Sequence, residues 1–293
     1  MGKNKPRPMT GPKPDPKPLT PEQRAAQGKG KPVGPQLHTD LRRAREEVAR
    51  IKREGGTIMS IDIESWEQDH AFVTEIGVSF VKYDPRPGAR YPILRQALHY
   101  IPLEWRHLVN GRHVPHNRDY FRFGKSDPAF FEICIGEVKA LIDKTSKEET
   151  VIMLFHDARS DVESLACDLG LNVADWQIGF VCDVPPPPGT GRVVIVDTQD
   201  LYAAYTGFRP PGGQIGLGRA CLDLGIEVMP NSLHNAGNDA AYTLAIGEKM
   251  LDPPIPLPTK PVIDLNAYES MNFGAPSPFG DTKDDDEATG WSD

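Results

Sequence analysis

Hydrophobic positions along the chain change period several times, and each change marks an element. Residues 57–63 and 71–81 are runs rich in β-branched side chains, which predicts two strands, with 94–101 as a third. Over 128–144 the apolar residues Phe131, Ile135, Val138 and Ile142 recur at helical spacing. Residues 151–155 and 193–196 are short apolar runs expected as strands, the second reached across the loop Pro185–Pro188. Further helices are expected at 160–169, 200–205, 217–224 and 236–250. Upstream, Leu41, Ala44, Val48 and Ile51 share one face of an amphipathic helix whose other positions carry arginines. Thr39 is its expected cap and Gly55-Gly56 its stop. Strands grouped first and then alternating with helices predict one α/β domain with a mixed sheet over 57–251, preceded by the helix within 39–56.

Composition adds two tails. Residues 1–37 hold eight Lys and Arg, two acids and nine prolines, too few apolar groups to offset the entropy of ordering them. The expectation is a disordered basic arm over 1–38. Residues 252–293 hold nine acids and two bases, which predicts a disordered acidic tail. Within the net charge of −8, the region between them is therefore also acidic. No apolar run approaches the roughly 18–20 residues that span a bilayer, and no apolar stretch follows the basic N-terminus. The four cysteines, Cys134, Cys167, Cys182 and Cys221, form no C-x-x-C pair, which fits a reducing compartment. An intracellular protein, cytoplasmic or nuclear, is the expectation.

Three clusters carry candidate chemistry. In Ile61-Asp62-Ile63-Glu64 the two carboxylates are two residues apart on a strand, so both point to the same face. Paired anions at an apolar strand end are costly unless a cation lies between them. His156-Asp157-Ala158-Arg159-Ser160-Asp161 follows the strand 151–155 and places Asp161 at a helix start. In His234-Asn235-Ala236-Gly237-Asn238-Asp239-Ala240, Asp239 sits in the first turn of a helix and His234 in the loop before it. Each cluster alone is better explained as a solvated strand or helix end.

Their order along the chain resembles the DEDDh 3′–5′ exonuclease superfamily, which includes polymerase proofreading domains, RNase T and oligoribonuclease. Asp62 and Glu64 match its first motif, Asp161 its second, and His234 with Asp239 its third. Thr74-Glu75-Ile76-Gly77-Val78 and Asp197-Thr198 match its supporting context, and Asn117-Arg118-Asp119-Tyr120-Phe121-Arg122-Phe123-Gly124 resembles a fungal Gfd-type branch. Asp157 stands where Asn commonly follows the second-motif histidine, and Ser65-Trp66 follows the D-x-E in place of small residues or Thr.

The resemblance implies a ribonuclease H-like mixed five-stranded sheet with helices on both faces. It also implies two divalent ions, Mg²⁺ or Mn²⁺, held by Asp62, Glu64, Asp161 and Asp239, with His234 as general base. The expected activity is 3′–5′ hydrolysis of single-stranded nucleic acid, with RNA favoured over DNA by analogy. A rival reading keeps the fold as a low-activity module that binds RNA or protein partners, the tails included. The segment 86–125 interleaves arginines with aromatics, a pattern suited to phosphate neutralisation and base stacking, and equally to a hairpin whose aromatics are core. Arg112, Arg118 and Arg122 are the candidate phosphate contacts. Trp66 is a candidate to stack on the terminal base, or to pack beneath the site.

Overall fold

The computed structural model describes residues 40–84, 92–173, 176–178, 192–207 and 214–251. Both expected tails, Thr39, Cys182, the loop Pro185–Pro188 and Arg86, Arg90 and Tyr91 lie outside the described residues. Helix α1 (Leu41–Glu54) leads into β1 (Gly56–Trp66), β2 (Asp69–Tyr83) and β3 (Pro92–Pro102). Then come β4 (Ser126–Ala129), α2 (Phe131–Glu148), β5 (Val151–Phe155) and α3 (Ala158–Cys167). The chain closes the domain with β6 (Gln177–Ile178), β7 (Val193–Asp197), α4 (Thr198–Thr206), α5 (Leu217–Asp223) and α6 (Ala236–Leu251).

The sheet has the order β4-β3-β2-β1-β5-β7-β6. The β1–β2 and β2–β3 pairs are antiparallel, and the remaining pairs are parallel. Among the described residues it thus contains seven strands, two more than expected. The five central ones are those the sequence predicts. The additions are short edge strands, Ser126–Ala129 interrupted by a proline and the two-residue Gln177–Ile178, too brief for an alternating pattern.

Side-chain alternation divides the core between the two faces of this sheet. Ile58 of β1 packs with Ile152, Leu154, Val194 and Val196 beneath α1, α4, α5 and α6. Met59 and Ile61 point the other way, towards Val138 and Ile142 of α2 and Leu165 of α3. Helices therefore cover both faces, as expected.

Helix α1 is docked rather than loose. Ala44, Val48 and Ile51 are fully buried, and Arg45 Nε donates to the Met250 carbonyl at 3.0 Å. Glu47 pairs with both Arg50 and Arg192 at 2.6 Å. Its cap is Asp40 and not Thr39. The Asp40 carboxylate accepts the amides of Arg42 and Arg43. At the other end Gly55, with φ 91°, ends the helix, and Gly56 already belongs to β1.

One close approach positions everything that follows. A Cβ on Gly77 would lie 1.9 Å from the Ala236 carbonyl oxygen, so only glycine lets the start of α6 rest on β2. Gly77 is the cross-strand partner of Asp62. The absence of a side chain at one position thus brings the α6 terminus over the carboxylates of its neighbour.

Candidate active site

Strand β1 pairs with β5 only from Thr57 to Ser60, then runs on paired with β2 alone. Asp62 and Glu64 stand on that extension, at the carboxyl ends of the parallel strands, where open α/β sheets leave a crevice. They share the face of Ser60, whose hydroxyl donates to the Ala240 carbonyl of α6 at 2.5 Å. A register shift follows Glu64, and Thr74 Oγ1 holds the Glu64 carbonyl at 3.2 Å.

Asp161 reaches the same place from the first turn of α3, where it is 8% exposed and accepts the Ile63 backbone N–H. The sharp entry to α3 is made by Asp157 at φ 79°, a left-handed conformation that Asp and Asn tolerate best among side-chain-bearing residues. The departure from the family's Asn therefore preserves the turn and adds a charge that helps raise the pKa of Asp161. Asp197 at the end of β7 anchors two helices, accepting Ala158 N–H at 2.9 Å and Gln199 N–H at 2.8 Å. His156 is not available for chemistry: it is fixed between Thr198 Oγ1 and the Ile215 carbonyl, and burial lowers its pKa to about 4.

Asp239 comes from the first turn of α6. Its Oδ2 accepts the His234 backbone N–H at 2.9 Å. That bond fixes the loop in which His234 adopts φ 58°. One ligand atom each from Glu64, His234 and Asp239 falls within 4.8 Å of the others. Asp62 and Asp161 are outside this tightest group but face it closely enough to perturb the same titrations.

Electrostatics report the crowding. Desolvation, then the charges of Asp161, Asp239 and Glu64, raises the Asp62 pKa well above the ordinary carboxylate range. Burial and then Glu75 push Glu64 up to about 8. Asp161 and Asp239 are likewise raised well above their usual value, burial being the main cause. Solvent reaches the His234 ring, yet the groups around it still desolvate an imidazolium and lower its pKa.

A cation fits this arrangement, and one atom carries the test. Asp239 Oδ1 is buried and has no hydrogen-bond partner, although buried carboxylate oxygens are normally satisfied. Hard oxygen donors from four carboxylates suit Mg²⁺ or Mn²⁺.

The nucleic-acid candidates divide. Arg118 is corrected: it is 4% exposed, and its guanidinium donates to the carbonyls of Arg106 at 2.7 Å and Leu108 at 3.2 Å. It ties a loop together and does not face a phosphate. Arg112 and Arg122 are exposed. Arg112 stands two residues after Asn110, whose side chain bonds Ser65 and Glu67, and its own amide is held by the Glu67 carboxylate. Arg122 lies over the Tyr120 ring at 5.5 Å. Trp66 is half-buried and edge-on to Phe72 at 6.2 Å, in a row that continues through Trp105 to Phe131. A cleft of about 700 Å³ opens beside Glu64 and Asp161, walled by Asn110, His113, Ser160 and Ser164.

Sequence reasoning missed Glu75 and His99. Glu75 is 5% exposed and pairs across the strands with Glu64. Its Oε2 accepts from His99 Nε2 at 2.9 Å and from the Ala236 N–H at 3.2 Å, so it pins the α6 terminus. The Thr74-Glu75-Ile76-Gly77 match is the sequence signal that marks this position.

Fold and site together define an α/β protein with an acidic cluster able to hold a divalent cation. The DEDDh family model described as DNA polymerase III subunit epsilon-like, C-terminal domain, matches residues 57–250, and the chain belongs to that family. An uncharacterized protein of Saccharomyces cerevisiae is 31% identical over 206 residues, 66% of this chain and 40% of that protein. The Good for full DBP5 activity protein 2 of the same yeast is 29% identical over 205 residues, 66% of this chain and 35% of that protein. The chain thus spans two fifths or less of the length of these relatives. An uncharacterized nucleolar protein of Schizosaccharomyces pombe is 24% identical over 240 residues, 77% of this chain and 84% of that protein. Among solved structures, E. coli exonuclease I in complex with a dA16 oligonucleotide matches with a TM-score of 0.36 and 13% identity, covering 67% of this chain and 40% of that one.

Proposed function

We propose that the domain hydrolyses phosphodiester bonds from the 3′ end of single-stranded nucleic acid. The carrying observation is the partnerless Asp239 Oδ1 among crowded carboxylates whose pKa values are raised, with His234 beside it. Asp62, Glu64, Asp161 and Asp239 would hold Mg²⁺ or Mn²⁺, which supplies charge compensation for the carboxylates and for a phosphate entering the site. Partial desolvation disfavours the charged form of His234, which suits its ring to accept the proton of an attacking water. The Asp239 carboxylate fixes the loop that aims it. The cleft beside Glu64 and Asp161 offers amide and hydroxyl groups to a terminal nucleotide, and Trp66 sits at the strand end where a base could stack.

Among the described residues, no helix is long and apolar enough to cross a membrane. An intracellular site of action is part of this proposal, and the nucleolar naming of the fission-yeast relative favours a nuclear one. RNA is the favoured substrate, on family analogy.

The test uses matched 5′-labelled single-stranded RNA and DNA with Mg²⁺, Mn²⁺ or EDTA. A ladder shortening from the 3′ end, lost in EDTA, is the expected result. Binding without cleavage under both metals supports the binding-module alternative instead, and internal cuts reject the exonuclease direction.

Arg112 and Arg122 give a second expected result. If both neutralise phosphates, replacing the pair with Ala should weaken substrate binding and reduce the slope of log K against log[salt] by about 1–2, roughly one per lost single-strand contact. An unchanged slope removes them from the interface. Arg118→Ala instead should lower the melting temperature, because it frees two carbonyls from a buried partner.

A further inference from the structure

The segment 117–123 drew attention in the sequence as a basic and aromatic stretch for nucleic acid. Its inward groups do something else. Asn117 Nδ2 donates to the Leu233 carbonyl at 2.7 Å, immediately before His234. On the other side of His234, Asn235 Nδ2 donates to the carbonyls of Asn117 at 3.2 Å and Arg118 at 2.9 Å. Asn238 continues the lattice: its Nδ2 donates to the Tyr120 carbonyl at 3.0 Å, and its Oδ1 accepts the Arg122 N–H at 2.8 Å. Phe121 closes over the helix start, its ring 5.1 Å from His99 and so near Gly237 that a Cβ there would lie 2.7 Å away. Asn235 and Asn238 are fully buried.

We infer that segment 117–123 is a brace that positions His234, with Asn117 as its principal positioning residue. The physical need is clear. His234 carries a positive φ, which costs a side-chain-bearing residue free energy unless its surroundings over-determine it. Asn117 and Asp239 hold the two sides of the peptide that enters the histidine, its Leu233 carbonyl and its His234 N–H, and the Asn235 side chain ties the next residue to the segment. Four hydrogen bonds thus fix the residues on either side of the His234 backbone. The brace is anchored in turn by Arg118, whose buried guanidinium explains why this arginine faces inward. Arg122 joins the lattice through its main-chain N–H, and its exposed guanidinium reaches the Pro230 carbonyl at 3.5 Å.

This inference rests on the proposed role of His234 for its catalytic part, and its structural part is read independently. Amide hydrogen exchange on the metal-free full chain gives the structural readout. In Asn117→Ala the His234 amide should exchange at least tenfold faster, while amides of β1 and β5 keep their wild-type protection. In Arg112→Ala, outside the brace, the His234 amide should be unchanged. The kinetic readout is a loss in kcat of about 10- to 100-fold with KM unchanged, the scale expected of a misplaced catalytic group. Combined with His234→Ala, Asn117→Ala should add no further loss, because both remove the same contribution. Should Asn117→Ala fail to fold, Asn117→Ser, which keeps a shorter donor, carries the comparison with a smaller effect. Equal His234 exchange in wild type and variant overturns the brace. Raised KM with unchanged kcat, or additive losses in the double variant, overturns positioning in favour of direct substrate contact. A wild type without nuclease activity but with the expected exchange result overturns the hydrolytic reading and supports the brace.

Discussion

Asp62→Asn should abolish hydrolysis while leaving the metal-free protein at least as stable as wild type. Asp62 lies among Asp161, Asp239 and Glu64, and desolvation together with these charges raises its pKa well above the usual range. Asparagine keeps the shape and removes one charge from the cluster. The pH dependence follows from the direction of the shifts. A carboxyl with a raised folded pKa keeps its proton in the folded state after the unfolded chain has lost it. The folded state is therefore unpenalised below about pH 4, the ordinary carboxylate range. Stability then falls as pH rises towards the value of about 8 reached by Glu64. At about 1.4 kcal/mol per pKa unit, the penalty is on the order of a few kcal/mol. A divalent cation that binds only the folded cluster offsets it. The metal-induced rise in melting temperature should accordingly be small at pH 5, largest near pH 8, and blunted in Asp62→Asn. Melting both proteins in EDTA and in millimolar Mn²⁺ at the two pH values decides it. A wild type indifferent to metal, with an active Asp62→Asn, would sink the cation reading.

His234→Ala should lower kcat by roughly 10²–10⁴-fold, the usual contribution of a general base. Because burial lowers the imidazole pKa, the acid limb of the wild-type pH–rate profile should lie below the ordinary histidine value of about 6.5 and vanish in the variant. The same variant separates base from ligand, since a ring atom of His234 comes within 4.8 Å of Glu64 and Asp239. A base leaves the Mn²⁺-induced melting shift intact when removed. Loss of that shift in His234→Ala would reassign the residue to metal binding.

The site and its surroundings were unequally legible. Asp62 and Glu64 could be placed side by side because strand geometry alone puts residues i and i+2 on one face. Asp161 and Asp239 could be placed at helix starts because the apolar spacing behind each announces a helix. Glu75 could not be assigned, since its role depends on an amide 161 residues away. Arg118 was misassigned for a related reason. An arginine among aromatics has the same sequence signature whether its partner is a phosphate or, as here, a pair of backbone carbonyls.

By itself the sequence determined the succession of the five central strands and the main helices, and the motif order that marks the family. All of these follow from local periodicity and from residue types at short spacing. Tertiary structure alone decided the rest: that β4 and β6 widen the sheet, that Gly77 admits the start of α6, and that segment 117–123 folds inward onto the His234 loop. Those outcomes depend on which distant groups meet and what they exclude from solvent. A polar side chain bonds whatever partner the packed chain brings to it, and its residue type does not record which partner that will be.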